Sequence, residues 1–460
     1  MLLDELGKIV GQGAIKTAPE DVRPHVTEWR GVVEGKTAAV VQPASTDEVV
    51  AVLRHCFEHS IGVVPQGGNT GLCAGAVPDE SGSQIVLSLS RMNRVRAIDP
   101  DDFSMVAEAG CVLADLQEAA SDVGRLFPLS LAAEGSCQIG GNIATNAGGI
   151  NVLRYGTARS QVLGLEAVLA DGTVLSDLRT LRKNTAGYDL KQLFIGSEGT
   201  LGVITAASLK LYPRPLDTQT AFVAIDDARQ AVPLLAFLRE ALADRVQAFE
   251  LMSAVVVEYV LRHIDGSRNP FDAMSPWSVL VEAAASESAV EAALMQALEA
   301  GMARHVVIAK NSAEARELWR LRHSISEAEK HEVPILKHDI SVPVSRMAEF
   351  LDRTRAELGD IWPDATLVAF GHVGDGNLHY NVALPKAWDE ARRADEGSRI
   401  SRLIYEIAGE LGGSFSAEHG IGRTKRDVLD ALAAPASLEL MRTLKRALDP
   451  RGILNPGKVI

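Results

Sequence analysis

Positive charge is the first thing this sequence is short of. Lys and Arg number 46 against 60 Asp and Glu, a formal net charge of -14. A net charge of that sign argues against a surface for nucleic acid or anionic membranes. An anionic substrate would then need a local cluster of cations. Aromatic residues make up only 5% of the chain, too few for a base-stacking surface. There are four cysteines, Cys56, Cys73, Cys111 and Cys137, and none forms a C-x-x-C pair. That excludes a disulfide scaffold and points to reduced, buried thiols. No apolar run reaches transmembrane length, so no membrane span is expected. The opening MLLDELGKIV carries Asp4 and Glu5 where a signal peptide would be basic, and the expected location is the cytoplasm. There is no G-x-x-x-x-G-K-[ST], which excludes a P-loop. No G-x-G-x-x-G opens a helix after the first strand, so a Rossmann site has no support.

What remains is long and ordinary in balance: 460 residues, 47% hydrophobic and 23% charged. One hydrophobic core rarely serves such a length, so two domains are expected. Ser45 and Glu48 have capping-box spacing ahead of an amphipathic helix through His55. A short strand, Ile61 to Val64, then enters PQGGNTG. Two more glycine-rich stretches follow, Gly135 to Gly149 and GSEGTLG from Gly196, the last leading into the strand-like VITAASLKLY. Pro213 and Pro215 mark a domain exit. Beyond them, apolar runs (AFVAI, WSVLVEAA, HVVIAK, ILKHDISV) alternate with helical stretches, Asp226 to Leu242 and Ser288 to Gly301. The class is α+β, with an antiparallel sheet covered by helices on one face. The expected division is 1–215, 216–411, and a segment 412–460 that returns to the first domain.

Clustered glycines let a backbone approach a ligand and aim several N–H groups at phosphate oxygens. Three such loops within 140 residues point to one phosphate-rich ligand. In order and wording they resemble the vanillyl-alcohol oxidase and p-cresol methylhydroxylase superfamily of FAD proteins, from about Val40 to Ile460. PQGGNTGLCAG resembles that family's pyrophosphate loop and supplies Pro65, Gly67, Gly68, Asn69, Thr70, Gly71 and Leu72. GSCQIGGNIATNAGGINVLRYG resembles its second flavin stretch, with Ser136, Gly140, Gly141, Asn142, Thr145, Asn146, Gly148, Gly149, Tyr155 and Gly156. IGSEGTLGVIT resembles the third, with Glu198, Gly199, Gly202 and Ile204, and ILNPGK the closing motif, with Asn455. The resemblance implies a flavin domain of two α+β subdomains, a separate substrate domain, and FAD in extended form. Some members link FAD through a histidine in the first loop. Asn69 stands there in this chain, so the flavin is expected to be non-covalent.

GHVGDGNLHYN places His372 and His379 in an H-x6-H spacing, and SAEHGIG supplies Glu418 and His419. Two imidazoles and a carboxylate suit a divalent metal, zinc first, then manganese or cobalt. The spacing alone does not carry a site. Both motifs resemble those of the metal-dependent branch that oxidises D-2-hydroxy acids. The resemblance implies that His372, His379 and Glu418 bind the metal, that His419 is the general base and meets the substrate, and that Asn381 contacts the substrate carboxylate.

The sequence LWRLRHSISEAEKHEVPILKHDISVP reads as a helix and then a strand. Arg322 and Ser326, four apart, share a helix face, and Lys337 falls in the strand-like part. The segment resembles the element by which one group within that branch anchors a distal carboxylate, where Ser326 replaces a more usual threonine. Two cations and a hydroxyl exceed what a monocarboxylate needs. The expected substrate is therefore D-2-hydroxyglutarate, oxidised by hydride transfer to flavin N5, with D-lactate or a broader range of D-2-hydroxy acids, D-malate included, as the alternative. The branch also implies an electron-transfer flavoprotein or a quinone as acceptor, and it is compatible with a homodimer.

Overall fold

The computed structural model describes residues 2–460, and their contacts divide the chain into two units. The first runs to Gly149, resumes over Gly156–Arg214 and closes with Glu418–Ile460. The second comprises Ile150–Tyr155 and Pro215–Ala417. The return falls at Glu418 rather than 412, and the six-residue excursion after Gly149 has no counterpart in the expected division.

The first unit begins with a four-stranded sheet in the order Ile15–Lys16, Ala39–Val41, Ile85–Ser88, Val63–Gln66. The last three strands are parallel. Ala39–Val41 is buried at every position, as a parallel strand covered on both faces must be. Helix Thr46–His59 follows. Ser45 caps it by accepting the Glu48 N–H at 3.2 Å. The reciprocal arm of the cap is displaced by one residue, because the Glu48 carboxylate takes the Ala44 N–H at 2.8 Å. Val49, Val52, Leu53 and Cys56 form its buried stripe, with helical spacing. The Ile61 N–H closes the helix on the Cys56 carbonyl at 2.9 Å. That bond is why the next strand starts at Val63 and not at Ile61. Its carboxyl end delivers the chain into PQGGNTG. A second, antiparallel sheet has the order Val95–Asp99, Ser104–Glu108, Val203–Lys210, Val162–Val168, Val174–Asp177.

The second unit is built on one antiparallel sheet in the order His305–Ile308, Gln219–Ile225, Trp277–Ala283, Val246–Ser253, Thr366–His372, Asn377–Ala383, Ile335–Leu336, with Asp339–Ser341 also paired to Asn377–Ala383. The α+β class stands, and one detail is corrected: helices cover both faces. Ala221, Val223 and Ile225 share a core with residues of Ala231–Ala241, Glu287–Glu299, Met347–Ile361 and Glu390–Glu410. Phe222, Met252, Leu280 and Phe370 share another with residues of Ala254–His263, Ser312–His323 and Ile325–Ala328. The physical reason lies in the strands. Val246–Ser253 is buried at all eight positions, so its alternate side chains need cover on both sides. Helix Ser312–His323 stops before Ser324, and Ser326 lies in the separate short helix Ile325–Ala328.

Candidate functional site

In the first unit the carboxyl end of Val63–Gln66 opens onto a cavity. All three glycine-rich stretches reach it. Pro65, Gly67–Gly71, Gly140, Gly141, Asn142, Thr145, Glu198, Gly199, Gly202 and Ile204 line it. A Cβ on Gly68 would stand 2.1 Å from the Ser136 carbonyl oxygen, so only glycine lets the first loop lie against the second. A Cβ on Gly71 would meet nothing within 4 Å, which leaves the inner face of that loop open to a ligand. Gln138 Oε1 and Asn142 Oδ1 are buried without a hydrogen-bond partner; both residues line the cavity. Buried orphan acceptors of this kind need a donor. Open glycine backbone and unsatisfied polar atoms together fit a large polar cofactor such as FAD.

Some expected cofactor residues support the cavity without lining it. Asn146 Oδ1 accepts the Arg159 N–H at 3.0 Å. Asn455 donates its amide to the carbonyls of Gly75, at 2.9 Å, and Glu198, at 2.7 Å, tying the closing motif to two cradle loops. Leu72, Ser136, Gly148, Gly149 and Gly156 lie outside the lining. Tyr155 belongs to the second unit, where its hydroxyl reaches Gln247 Oε1 at 3.1 Å. Asn69, in a left-handed conformation, donates its amide to the carbonyls of Pro24 and Thr27 at 2.9 Å each. Gln66, Cys137 and Gln138 were missed by sequence reasoning and line the cavity too.

Glu198 also does something the sequence does not announce. Its carboxylate accepts the backbone N–H groups of Ile421, at 2.7 Å, and Gly422, at 2.8 Å. Burial pushes its pKa up, against the pull of those two N–H groups. The bonds hold the returning segment so that His419 lines the cavity together with the cradle loops. Glu418, one residue earlier, accepts the Gly149 N–H at 2.8 Å.

In the second unit, strand alternation gathers polar side chains at one end of a sheet face. Glu250, His372, His379 and Asn381 come from three adjacent strands. His372 Nδ1 lies 2.6 Å from Glu250 Oε1, and the rings of His372 and His379 meet edge to face at 5.7 Å between centroids. His379 Nδ1 is 3.9 Å from Asp339 Oδ1. Full burial works against the charge on Glu250, but His372 and Arg322 outweigh it and hold the carboxyl down at about 2. An imidazole backed by a carboxylate is the usual arrangement of a metal-binding histidine, so this donor set fits a divalent cation. The Ala417 N–H donates to the Asp339 carbonyl at 3.2 Å.

The expected substrate cations are both paired. Arg322, nearly buried, donates Nε to Glu250 Oε2 at 2.7 Å. Lys337 sits between two short strands, not within one, and its ammonium meets Glu329 Oε2 at 2.8 Å. Asn381 donates its amide to the other oxygen of Glu329 at 2.8 Å and accepts the His338 N–H at 3.1 Å. Ser326 is exposed. Glu250 and Asp339 had a sequence signal, a carboxylate inside an apolar run, which demands a partner. Glu329 had none: its segment, SEAEKHE, looks like solvated helix.

Two protein families match the chain. Residues 37–177 match the FAD binding domain family, and residues 214–459 match the FAD linked oxidases, C-terminal domain. Among solved structures, p-cresol methylhydroxylase with substrate bound superposes with a TM-score of 0.77 at 16% identity, over 100% of this chain and 96% of that one. An alkyldihydroxyacetonephosphate synthase gives 0.73 at 17%, over 99% and 84%. These likenesses establish the fold. The two family matches make the chain an FAD-linked oxidoreductase. A mitochondrial D-2-hydroxyglutarate dehydrogenase from Bos taurus is 42% identical, over 97% of this chain and 81% of that protein. The D-2-hydroxyglutarate dehydrogenase of Xanthomonas citri pv. viticola is 40% identical, over 97% and 94%. The chain belongs to this family of D-2-hydroxyglutarate dehydrogenases.

Replacing Glu198 by Ala orphans two backbone donors, the half-buried Ile421 N–H and the buried Gly422 N–H, at up to about 1–3 kcal/mol each. Thermal unfolding should show a loss of several kcal/mol together with weaker flavin retention, and Glu198→Gln, which keeps an acceptor, should cost less. An unchanged melting temperature in the alanine variant would refute the anchoring role.

Proposed function

We propose that this chain oxidises D-2-hydroxyglutarate to 2-oxoglutarate, using non-covalent FAD and a divalent metal, zinc first. The observation that carries the reading is His419: an imidazole lining the cavity that fits FAD, on a segment anchored by Glu198. Bound there, FAD would accept the hydride at N5. His372, His379 and Glu418 would hold the metal, which would act as a Lewis acid on the substrate's α-hydroxyl. His419 takes the hydroxyl proton on a ring nitrogen, and Asn381 orients the C1 carboxylate. Glu250, hydrogen-bonded to His372 Nδ1, fixes that ring's orientation. Arg322, Ser326 and Lys337 face the distal end of the substrate. Asn69, an amide already engaged by two carbonyls, offers no covalent link to the flavin.

A broader D-2-hydroxy-acid specificity, D-lactate and D-malate included, is a second reading. The pairing of Arg322 with Glu250 and of Lys337 with Glu329 favours it, because neither cation stands ready for a second carboxylate alone. Four buried, unbridged thiols suit a reducing compartment such as the cytoplasm, though relatives from animals and plants carry mitochondrial in their names. No described helix is long and apolar enough to cross a membrane. An electron-transfer flavoprotein or a quinone is proposed as acceptor.

Steady-state kinetics with a dye acceptor on both enantiomers of a 2-hydroxy-acid panel should show turnover of the D forms only. Preference for an L enantiomer would overturn the reading. Chelation should abolish turnover while the flavin spectrum persists, and zinc should restore it; full activity in a metal-free preparation would remove the metal from the proposal. His419→Ala should lower kcat by ~10² or more, a typical general-base contribution, with metal content near that of the parent. Loss of metal together with a normal rate on reconstitution would make His419 a ligand instead.

A further inference from the structure

Lys337 holds a carboxylate before any substrate arrives. Its ammonium donates to Glu329 Oε2 at 2.8 Å. The Glu329 side chain is only 1% exposed against 34% for Lys337, so the acid is the fixed partner and the lysine the one that faces outward. Its position is set from behind. Glu329 opens the turn Glu329–His331 directly after helix Ile325–Ala328, and Ile325 and Ala328 are both buried in the second core of the sheet. Its other oxygen accepts the Asn381 amide at 2.8 Å. One buried carboxylate therefore contacts both a residue assigned to the C1 end of the substrate and a cation assigned to its distal end.

Arg322 is neutralised in the same way by Glu250. The four charges Arg322, Lys337, Glu250 and Glu329 cancel. A second substrate carboxylate arriving at Lys337 must share one ammonium with Glu329. The three donors of the ammonium allow that geometry, but two like charges beside one cation oppose each other. A monocarboxylic 2-hydroxy acid does not reach Lys337 and meets no such opposition. We propose that Glu329 is a specificity-determining residue: it holds the distal end of the site near electroneutrality and narrows the advantage of dicarboxylic over monocarboxylic 2-hydroxy acids. The inference rests on the reading of the site given above.

The test compares the holoenzyme with its Glu329→Gln variant, which keeps the size and one acceptor oxygen and removes the charge; its amide nitrogen then faces either Lys337 or Asn381, so one of those two donors loses its partner. Calorimetry would measure binding of 2-oxoglutarate and 2-oxobutyrate, and dye-coupled kinetics would measure D-2-hydroxyglutarate and D-2-hydroxybutyrate. In the variant, 2-oxoglutarate should bind about tenfold tighter, the equivalent of 1.4 kcal/mol, while 2-oxobutyrate moves less than about twofold. KM for the diacid should fall with kcat little changed, a split that a merely structural role would not produce. Unchanged or weaker 2-oxoglutarate binding overturns the inference even if both hydroxy acids are oxidised. Tighter 2-oxoglutarate binding without turnover of any hydroxy acid overturns the proposed function and leaves the role of Glu329 standing. The parent protein alone gives a further check, because a preference for 2-oxoglutarate over 2-oxobutyrate above about 10²-fold, some 2.7 kcal/mol, is incompatible with a neutralised distal end.

Discussion

The carboxylate of Glu198 is the constraint on which the candidate catalytic residue depends. It satisfies the N–H groups of Ile421 and Gly422, and those two bonds decide where the preceding His419 stands. The requirement reaches back into the sequence. A Cβ on Gly420 would lie 2.7 Å from Glu198 Oε1, and one on Gly422 would lie 2.1 Å from the Cys73 carbonyl. Both glycines also adopt positive φ angles, +74° and +51°, which other residues reach only at a cost. The string AEHGIG is thus a backbone specification as much as a chemical one. Asn455, bonded to the carbonyl of Glu198 itself, ties the last motif of the chain to the same residue.

The second unit handles charge by a different rule. It buries Glu250, Glu329 and Asp339 on and beside one sheet face, and each acts through a neighbour: Glu250 with His372 and Arg322, Glu329 with Lys337 and Asn381, Asp339 with Asn377. Removing one member of such a pair leaves the other buried and uncompensated, which is why these sites are expensive to alter. A chain with a net charge of -14 has no shortage of acids. Its problem is to seat cations, and the structure shows them held by carboxylates before any ligand is considered.

The legible parts of the sequence were those where backbone chemistry dictates residue type. Glycine loops that must touch one another, as at Gly68 and Ser136, and a helix cap such as Ser45 declare themselves. Strands buried on both faces do not. VQAFELMS has no polar alternation to mark it as Val246–Ser253, and the same uniform burial hid the second layer of helices. The strands that carry His372 and His379 do not declare themselves as strands, because Gly371 falls near the end of the first and Gly374 and Gly376 lie between the two. The apolar run ILKHDISV suggests one strand through Lys337, and that strand in fact breaks around it. Glu329 was invisible, since a buried glutamate in a polar helix-like stretch looks like any solvated one until the fold turns it inward.

The path of the chain between its two units has a consequence of its own. It passes from one to the other after Gly149, Tyr155, Arg214 and Ala417. The first unit therefore lacks its closing segment, Glu418–Ile460, until the whole of the second unit has been made. During that interval the Glu198 carboxylate has no Ile421 to bind, and the strand Val63–Gln66 has no Ile453 carbonyl for the Val63 amide. The second unit is encoded almost wholly as one run and is spared this delay. An order of assembly is thereby written into connectivity: the half that contains the flavin cradle is started before the second unit and completed after it, and its long-range contacts close late.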